Sequence, residues 1–199
     1  MLLRAIDFFN HLLKMNSNCN ISLINFLTNN FFMQTFATTF LQSAIKRLLY
    51  YKDLGDKTLG RLNDADFLFQ PNEESNSIAV IIQHLNGNML SRWTDFLTTD
   101  GEMEWRQRDA EFELQNLSKN DLIAMWEKGW LCCINTLQSL TPDDLLKTIT
   151  IRQEAMLVTD AINRQLAHYP YHVGQLIYIA KILQNHQWES LSIPRKNKR

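Results

Sequence analysis

Asn163-Arg164-Gln165-Leu166-Ala167-His168-Tyr169-Pro170-Tyr171-His172-Val173-Gly174-Gln175-Leu176 sets two histidines four residues apart in a stretch with a helical pattern. On a helix these imidazoles stand one above the other on the same face. At about 100° per residue, Arg164, His168, Tyr171, His172 and Gln175 share roughly one third of the circumference. That face is too polar for plain core, and Leu166, Ile177 and Ile179 supply packing on other parts of the helix. Pro170 lies between the histidines, removes one backbone N–H and pushes against the Leu166 carbonyl, a break worth about 3 kcal/mol in a helix interior. The expectation is a kink or π-bulge that re-aims His168 and His172.

A third imidazole lies far upstream. His84 belongs to the apolar run Ile78-Ala79-Val80-Ile81-Ile82-Gln83-His84-Leu85, which reads as a core-facing helix. Asn88 and Arg92 follow His84 at four-residue intervals, so all three can face one cavity if His84 points inward. A lone histidine is most often a satisfied structural residue, whereas an i, i+4 pair with a third on a partner helix is the more specific sign of a metal site. His84, His168 and His172 can meet only through helix packing. His11 and His186 match no pattern and read as surface residues.

Composition limits the remaining possibilities. The 199 residues suit one domain, and 45% hydrophobic content supports a core. Lys and Arg number 20 against 21 Asp and Glu, so no net basic field draws in nucleic acid or an anionic membrane. Cys19 and the adjacent Cys132 and Cys133 show no zinc-like spacing, and their odd number favours reduced thiols in a cytoplasmic protein. Cys132 and Cys133 read as buried residues of an apolar helix.

The first 32 residues stand apart. Asp7, His11 and Lys14 interrupt their apolar stretches and no small-residue cleavage site follows, so neither a secretory signal nor a spanning helix fits. Seven asparagines within them oppose both helix and strand. The expectation is that Met33 is the true start and that residues 1–32 are an upstream extension whose translation is in question. The alternative is a short amphipathic helix, built round Phe8, Phe9, Leu12 and Leu13, that packs on the domain.

From Met33 onward four long helices are predicted: about Gln34 to Leu62, Ser77 to Leu97, Ser118 to Leu140 and Leu157 to Gln184. Asn76 or Ser77 caps the second, and Ser118 with Asp121 opens the third. Thr98 to Asn116 reads as a long polar loop, a length that suits a site-lining segment. Thr141-Pro142-Asp143-Asp144 forms a short turn, and Thr148-Ile149-Thr150-Ile151 a brief strand or an extended link. Residues 188–199 form a basic tail ending Pro194-Arg195-Lys196-Asn197-Lys198-Arg199. The fold class is therefore all-α, a four-helix bundle over residues 33–187.

Ser75-Asn76-Ser77-Ile78-Ala79-Val80-Ile81-Ile82-Gln83-His84-Leu85, Ser91-Arg92-Trp93-Thr94-Asp95-Phe96 and, above all, the 163–176 stretch resemble the DinB/YfiT-like superfamily of metalloenzymes, in a largely uncharacterised bacterial branch. The resemblance spans about Met33 to Gln187. It implies an up-down-down-up bundle, a three-histidine metal site at His84, His168 and His172, and a homodimer. Relatives with an assigned activity are similar to S-transferases that use low-molecular-weight thiols such as bacillithiol or mycothiol, and others have no known reaction.

Three neutral imidazoles leave a divalent ion its full charge and a fourth position for water or substrate, the pattern of catalytic rather than structural zinc. Zinc is the first choice, with nickel, iron and manganese open, since imidazole suits several of them. Such an ion deprotonates a bound thiol or brings bound water to a pKa near ~7. Arg92 and Arg164 are candidates to bind a substrate carboxylate or phosphate, or else form salt bridges to a neighbouring helix. Asn88 and Gln175 are candidates to orient a histidine's outer nitrogen or a bound water, or Gln175 to satisfy a buried backbone group, and Tyr171 shares the face of Gln175. Trp93 and Trp105 are candidates to wall the pocket, and one of Glu102, Glu104, Asp109 and Glu111 to act as general base. Three function classes follow: a metal-dependent transferase acting with a small thiol, a metal-dependent hydrolase at the same site, and a non-catalytic metal-binding or interaction bundle.

Overall fold

The computed structural model describes residues 20–113 and 115–194, with side chains from residue 28 onward. Cys19, His11 and the amphipathic stretch around Phe8 lie outside the described residues, as does the last part of the basic tail. The chain runs through α1 (Asn20–Leu59), a short α2 (Asp64–Leu68), α3 (Ile78–Trp93), α4 (Lys119–Ser139), β1 (Thr148–Ile151), β2 (Glu154–Leu157) and α5 (Val158–Gln184). Single-turn 3-10 segments sit at Asp109–Phe112, Pro142–Asp144 and Asn185–Gln187. No helix among the described residues is long and apolar enough to cross a membrane.

Local chemistry sets most of the helix ends. Ser77 caps α3, its hydroxyl accepting the Val80 N–H at 3.3 Å. Ser118 and Asp121 form a reciprocal capping box at the start of α4. Three boundaries differ from the sequence reading, the end of the first helix falling at Leu59 rather than Leu62. The first helix begins at Asn20 rather than Gln34. Asparagine costs at most about 0.7 kcal/mol per helical position, and propagation from a turn already packed on α5 overrides so weak a preference. The second helix stops at Trp93 rather than Leu97, because Thr94 is extended and Asp95 turns to φ 48°.

The expected all-α class needs one correction, a two-stranded antiparallel hairpin. Thr148 pairs with Leu157 and Ile151 with Glu154. The two residues between, Arg152 and Gln153, both take positive φ, at 56° and 63°. That conformation is disfavoured for side-chain-bearing residues but closes a two-residue hairpin with the right twist. Asp100 holds it: its carboxylate accepts the backbone N–H of Arg152 at 2.8 Å and of Gln153 at 2.7 Å. The Gly101 N–H donates to the Thr150 carbonyl at 2.9 Å, so the loop after α3 is stitched to the hairpin.

Around the core, α3 packs most extensively on α4, and α1 on α5, with further contacts of α1 to α4 and α3 to α5. Trp93, Trp126, Trp130 and Tyr169 are fully buried between them. The Trp93 indole donates to the Tyr169 hydroxyl at 2.9 Å, which donates to Asn88 Oδ1 at 3.1 Å, so α3 and α5 are locked together one turn from the histidines. The helix continues across Pro170, so the expected π-bulge is absent. α5 is unbroken α-helix from 158 to 184 with no π-turn. Packing of Tyr169, His172 and Val173, all buried, holds the turn that proline weakens.

Candidate metal centre

His84 comes from α3, and His168 and His172 come from consecutive turns of α5. Their ring nitrogens converge. His168 Nε2 lies 3.1 Å from His172 Nε2 and 3.3 Å from His84 Nε2, and the three ligand atoms lie within 4.8 Å of one another. Two imidazole nitrogens on a tetrahedral ion, each about 2.0–2.1 Å from it, stand roughly 3.3 Å apart.

Each outer nitrogen has its own acceptor. His84 Nδ1 meets Glu111 Oε2 at 3.0 Å, His168 Nδ1 meets Gln165 Oε1 at 3.3 Å, and His172 Nδ1 meets Gln175 Oε1 at 2.8 Å. An acceptor at Nδ1 fixes the proton there and turns the Nε2 lone pair inward. Three lone pairs then face one another at distances where neutral acceptors repel, an arrangement that a shared cation would reconcile. The donor set and its spacing fit a divalent metal.

Electrostatics favour the neutral form of His168 and His172. Burial, followed by the neighbouring charges of His172, His84 and Arg164, pulls His168 down to about 3. Burial and then His84 pull His172 down to about 4. Burial alone would raise the Glu111 carboxyl, but the hydrogen bonds from Arg106 and His84 outweigh it and leave it below the ordinary carboxylate range. Arg106 Nε and Nη2 grip the two oxygens of Glu111 at 2.7 and 2.8 Å, a bidentate clamp that aims the carboxylate at His84. Gly87 makes room for it, since a Cβ at that position would overlap the Glu111 carboxylate.

A cavity of about 320 Å³ opens over the histidines, lined also by Asn88, Arg92, Arg164 and Tyr171. Gln175 stands behind His172 instead of in the cavity wall. Asn88 orients no histidine. Its carbonyl is taken by Tyr169, and the supports of His84 and His168 are Glu111 and Gln165. Neither tryptophan walls the pocket: Trp93 is core, Trp105 is 56% exposed, and neither lines the cavity. Of the four loop acids, Glu111 serves His84, while Glu102 pairs with Arg106 and Arg152. No Asp or Glu is among the residues that line the cavity. Gln165 was missed by the sequence reading although its position three before His168 mirrors Gln175 three after His172. Cys133 is buried in the core, which pushes its thiol well up, and His186 is exposed.

The model of the family described as "Protein of unknown function (DUF1572)" matches residues 35–197. No curated protein matches the chain. Among solved structures, the DinB-like protein YjoA of Bacillus subtilis is similar to this chain with a TM-score of 0.57 and 12% sequence identity, over 79% of this chain and 99% of that one. The fold is DinB-like.

Proposed function

From the premise that this chain belongs to the DUF1572 family, we propose that it is a metal-dependent enzyme whose His84, His168 and His172 hold one divalent ion, zinc first, and that it transfers a low-molecular-weight thiol to an electrophile. The observation that carries the metal reading is the inward convergence of three Nε2 atoms whose Nδ1 partners are all accounted for. Three protein ligands leave a position for substrate, as catalytic sites do. When bound, the ion supplies a Lewis acid that deprotonates a thiol or lowers the pKa of water to near ~7.

The chain's own residues favour thiol over water. Hydrolysis needs a base to manage the water's second proton and the leaving group, and no carboxylate lines the cavity. Glu111 is committed to Arg106 and His84. A thiol would lose its one proton to solvent on binding the ion, and as its C–S bond forms the electrophile's bond to its leaving group breaks, releasing an anion such as halide that needs no proton. Among the described residues no cysteine lines the cavity, which favours a small molecule as the source of the nucleophilic sulfur. Arg106 and Gln175 keep the imidazoles oriented, and Tyr171, at the mouth and 54% exposed, is placed to cover a bound substrate.

An up-down-down-up bundle and a homodimer go with this reading, as does a cytoplasmic setting in which small thiols stay reduced. The test is to incubate zinc-loaded protein with a small thiol and a model electrophile such as a haloarene. Thiol consumption matched by conjugate, abolished in His168→Ala, supports the transferase. Turnover of an ester substrate that proceeds equally without thiol supports the hydrolase and rejects the proposal.

A further inference from the structure

The cavity over the histidines is lined by five arginines, Arg92, Arg106, Arg108, Arg152 and Arg164, and by no acid. The whole chain carries a net charge of −1, so this concentration is a property of the site and not of the surface at large. Three carboxylates stand behind the wall. Glu111 takes Arg106, Glu102 is shared among Arg106 at 3.2 Å, Arg152 at 3.0 Å and Arg92 at 3.8 Å, and Asp100 accepts the Arg152 backbone N–H and feels the charge of Arg92. Three acids against five guanidinium groups still leave the cavity positive before any metal enters.

Arg92 is the least satisfied of the five. It is 1% exposed, its distance to Glu102 is too long for a hydrogen bond, and its Nε and Nη1 meet no acceptor. A buried cation with unused donors is costly unless an anion completes it. The fold makes room for it: a Cβ at Gly101 would come within 2.9 Å of Arg92 Nη1 and 3.2 Å of its Cδ, and Ser91 fixes that glycine by donating to its carbonyl at 2.9 Å. Asn88, one turn before Arg92, has its carbonyl occupied by Tyr169 and has its NH2 left to offer the cavity. Arg164, one turn before His168, lines the same space and forms no ion pair among the described residues.

We propose that Arg92, Arg164 and Asn88 form an anion subsite beside the three histidines, and that the substrate, or the thiol that accompanies it, bears a carboxylate or phosphate seated there. The subsite supplies only N–H donors and positive charge, which suits an oxyanion and rejects a neutral or cationic group. Anchoring that group by the arginines would hold the reactive end of the molecule near the histidines. The inference rests on the proposed function only in taking this cavity as the reaction site, and it is tested without the metal.

Calorimetric titration of chelator-treated, metal-free protein with succinate, with inorganic phosphate and with the neutral analogue succinamide decides the matter. At least one anion should bind, with an affinity that falls as salt rises, and succinamide should not. The tighter of the two anions names the source of the oxyanion. Arg164→Gln, at an exposed position where folding is retained and is checked by melting temperature, should weaken the anion at least about tenfold. Arg92→Met should do the same if it folds. Equal binding of succinamide, no binding of either anion, or an unchanged affinity in Arg164→Gln overturns the subsite. Anion binding that appears only with zinc and ignores Arg164 assigns the anion to the ion, which overturns the arginine subsite while leaving the metal reading intact.

Discussion

Glu111 reaches a histidine 27 positions away in sequence, and it can do so only because Gly87 has no side chain. Gly87→Ala should therefore displace the carboxylate, free His84 to rotate and weaken metal binding about tenfold, as loss of such outer partners typically does. Alanine is the better helix former by about 1 kcal/mol, but pushing the buried Glu111 carboxylate off Arg106 costs more, so the melting temperature of the metal-free variant should fall as well. Competition with a chromophoric chelator measures the first effect and calorimetry the second; loss of stability with unchanged affinity would contradict this account. The pH behaviour of His168 and His172 follows from the same surroundings. Burial first, and then their positive neighbours, hold them at about 3 and about 4, below the ordinary value of 6.5. The unfolded chain takes up those protons first, so the stability of the metal-free protein is full above about pH 6.5 and is lost as pH falls from there toward 4. A melting temperature that rises on acidification over that window would refute it. Gln165 and Gln175 were within reach of sequence reading, since both sit three residues from a histidine on one helix. Glu111 was not, because its partnership is made by packing between a loop and α3.

At the scale of the elements, the brief strand expected at Thr148–Ile151 forms, and its partner strand and turn are where the structure adds most. Thr148 to Ile151 has the alternating β-branched character of a strand, but Glu154-Ala155-Met156 does not, and Arg152-Gln153 lacks the asparagine or glycine that marks a tight hairpin turn. The turn forms because Asp100 accepts its two backbone N–H groups from across the loop. Asp100→Ala should cost about 1–2 kcal/mol by releasing that clamp, and Gln153→Gly should recover about 1 kcal/mol by removing the strain of a left-handed residue. Denaturant unfolding of both variants tests the pair, and destabilisation by Gln153→Gly would contradict the turn geometry. By contrast the start of α3 and both ends of α4 were legible to within a residue, the starts because Ser77, Ser118 and Asp121 are capping residues placed ahead of apolar periodic runs. The π-bulge expected at Pro170 does not form: a local penalty of about 3 kcal/mol is outweighed by the buried neighbours that fix α5.

For the whole molecule, a chain with almost no net charge focuses positive potential into one cavity while its remaining surface stays mixed. The same packing that closes the core, α3 against α5 through Trp93, Tyr169 and Asn88, brings distant histidines within reach of one ion. Binding to the folded state alone should stabilise it by about 2.7 kcal/mol at a hundredfold excess of zinc over its Kd, worth roughly 5–10 °C in a chain of this size. The most direct test of the central claim is the divalent-metal content of protein purified without a chelating tag, measured by elemental mass spectrometry beside the triple variant His84→Ala, His168→Ala, His172→Ala. The account predicts about one ion per chain in the first and none in the second; a natural protein that stays metal-free after incubation with zinc, nickel, iron and manganese in turn would contradict it.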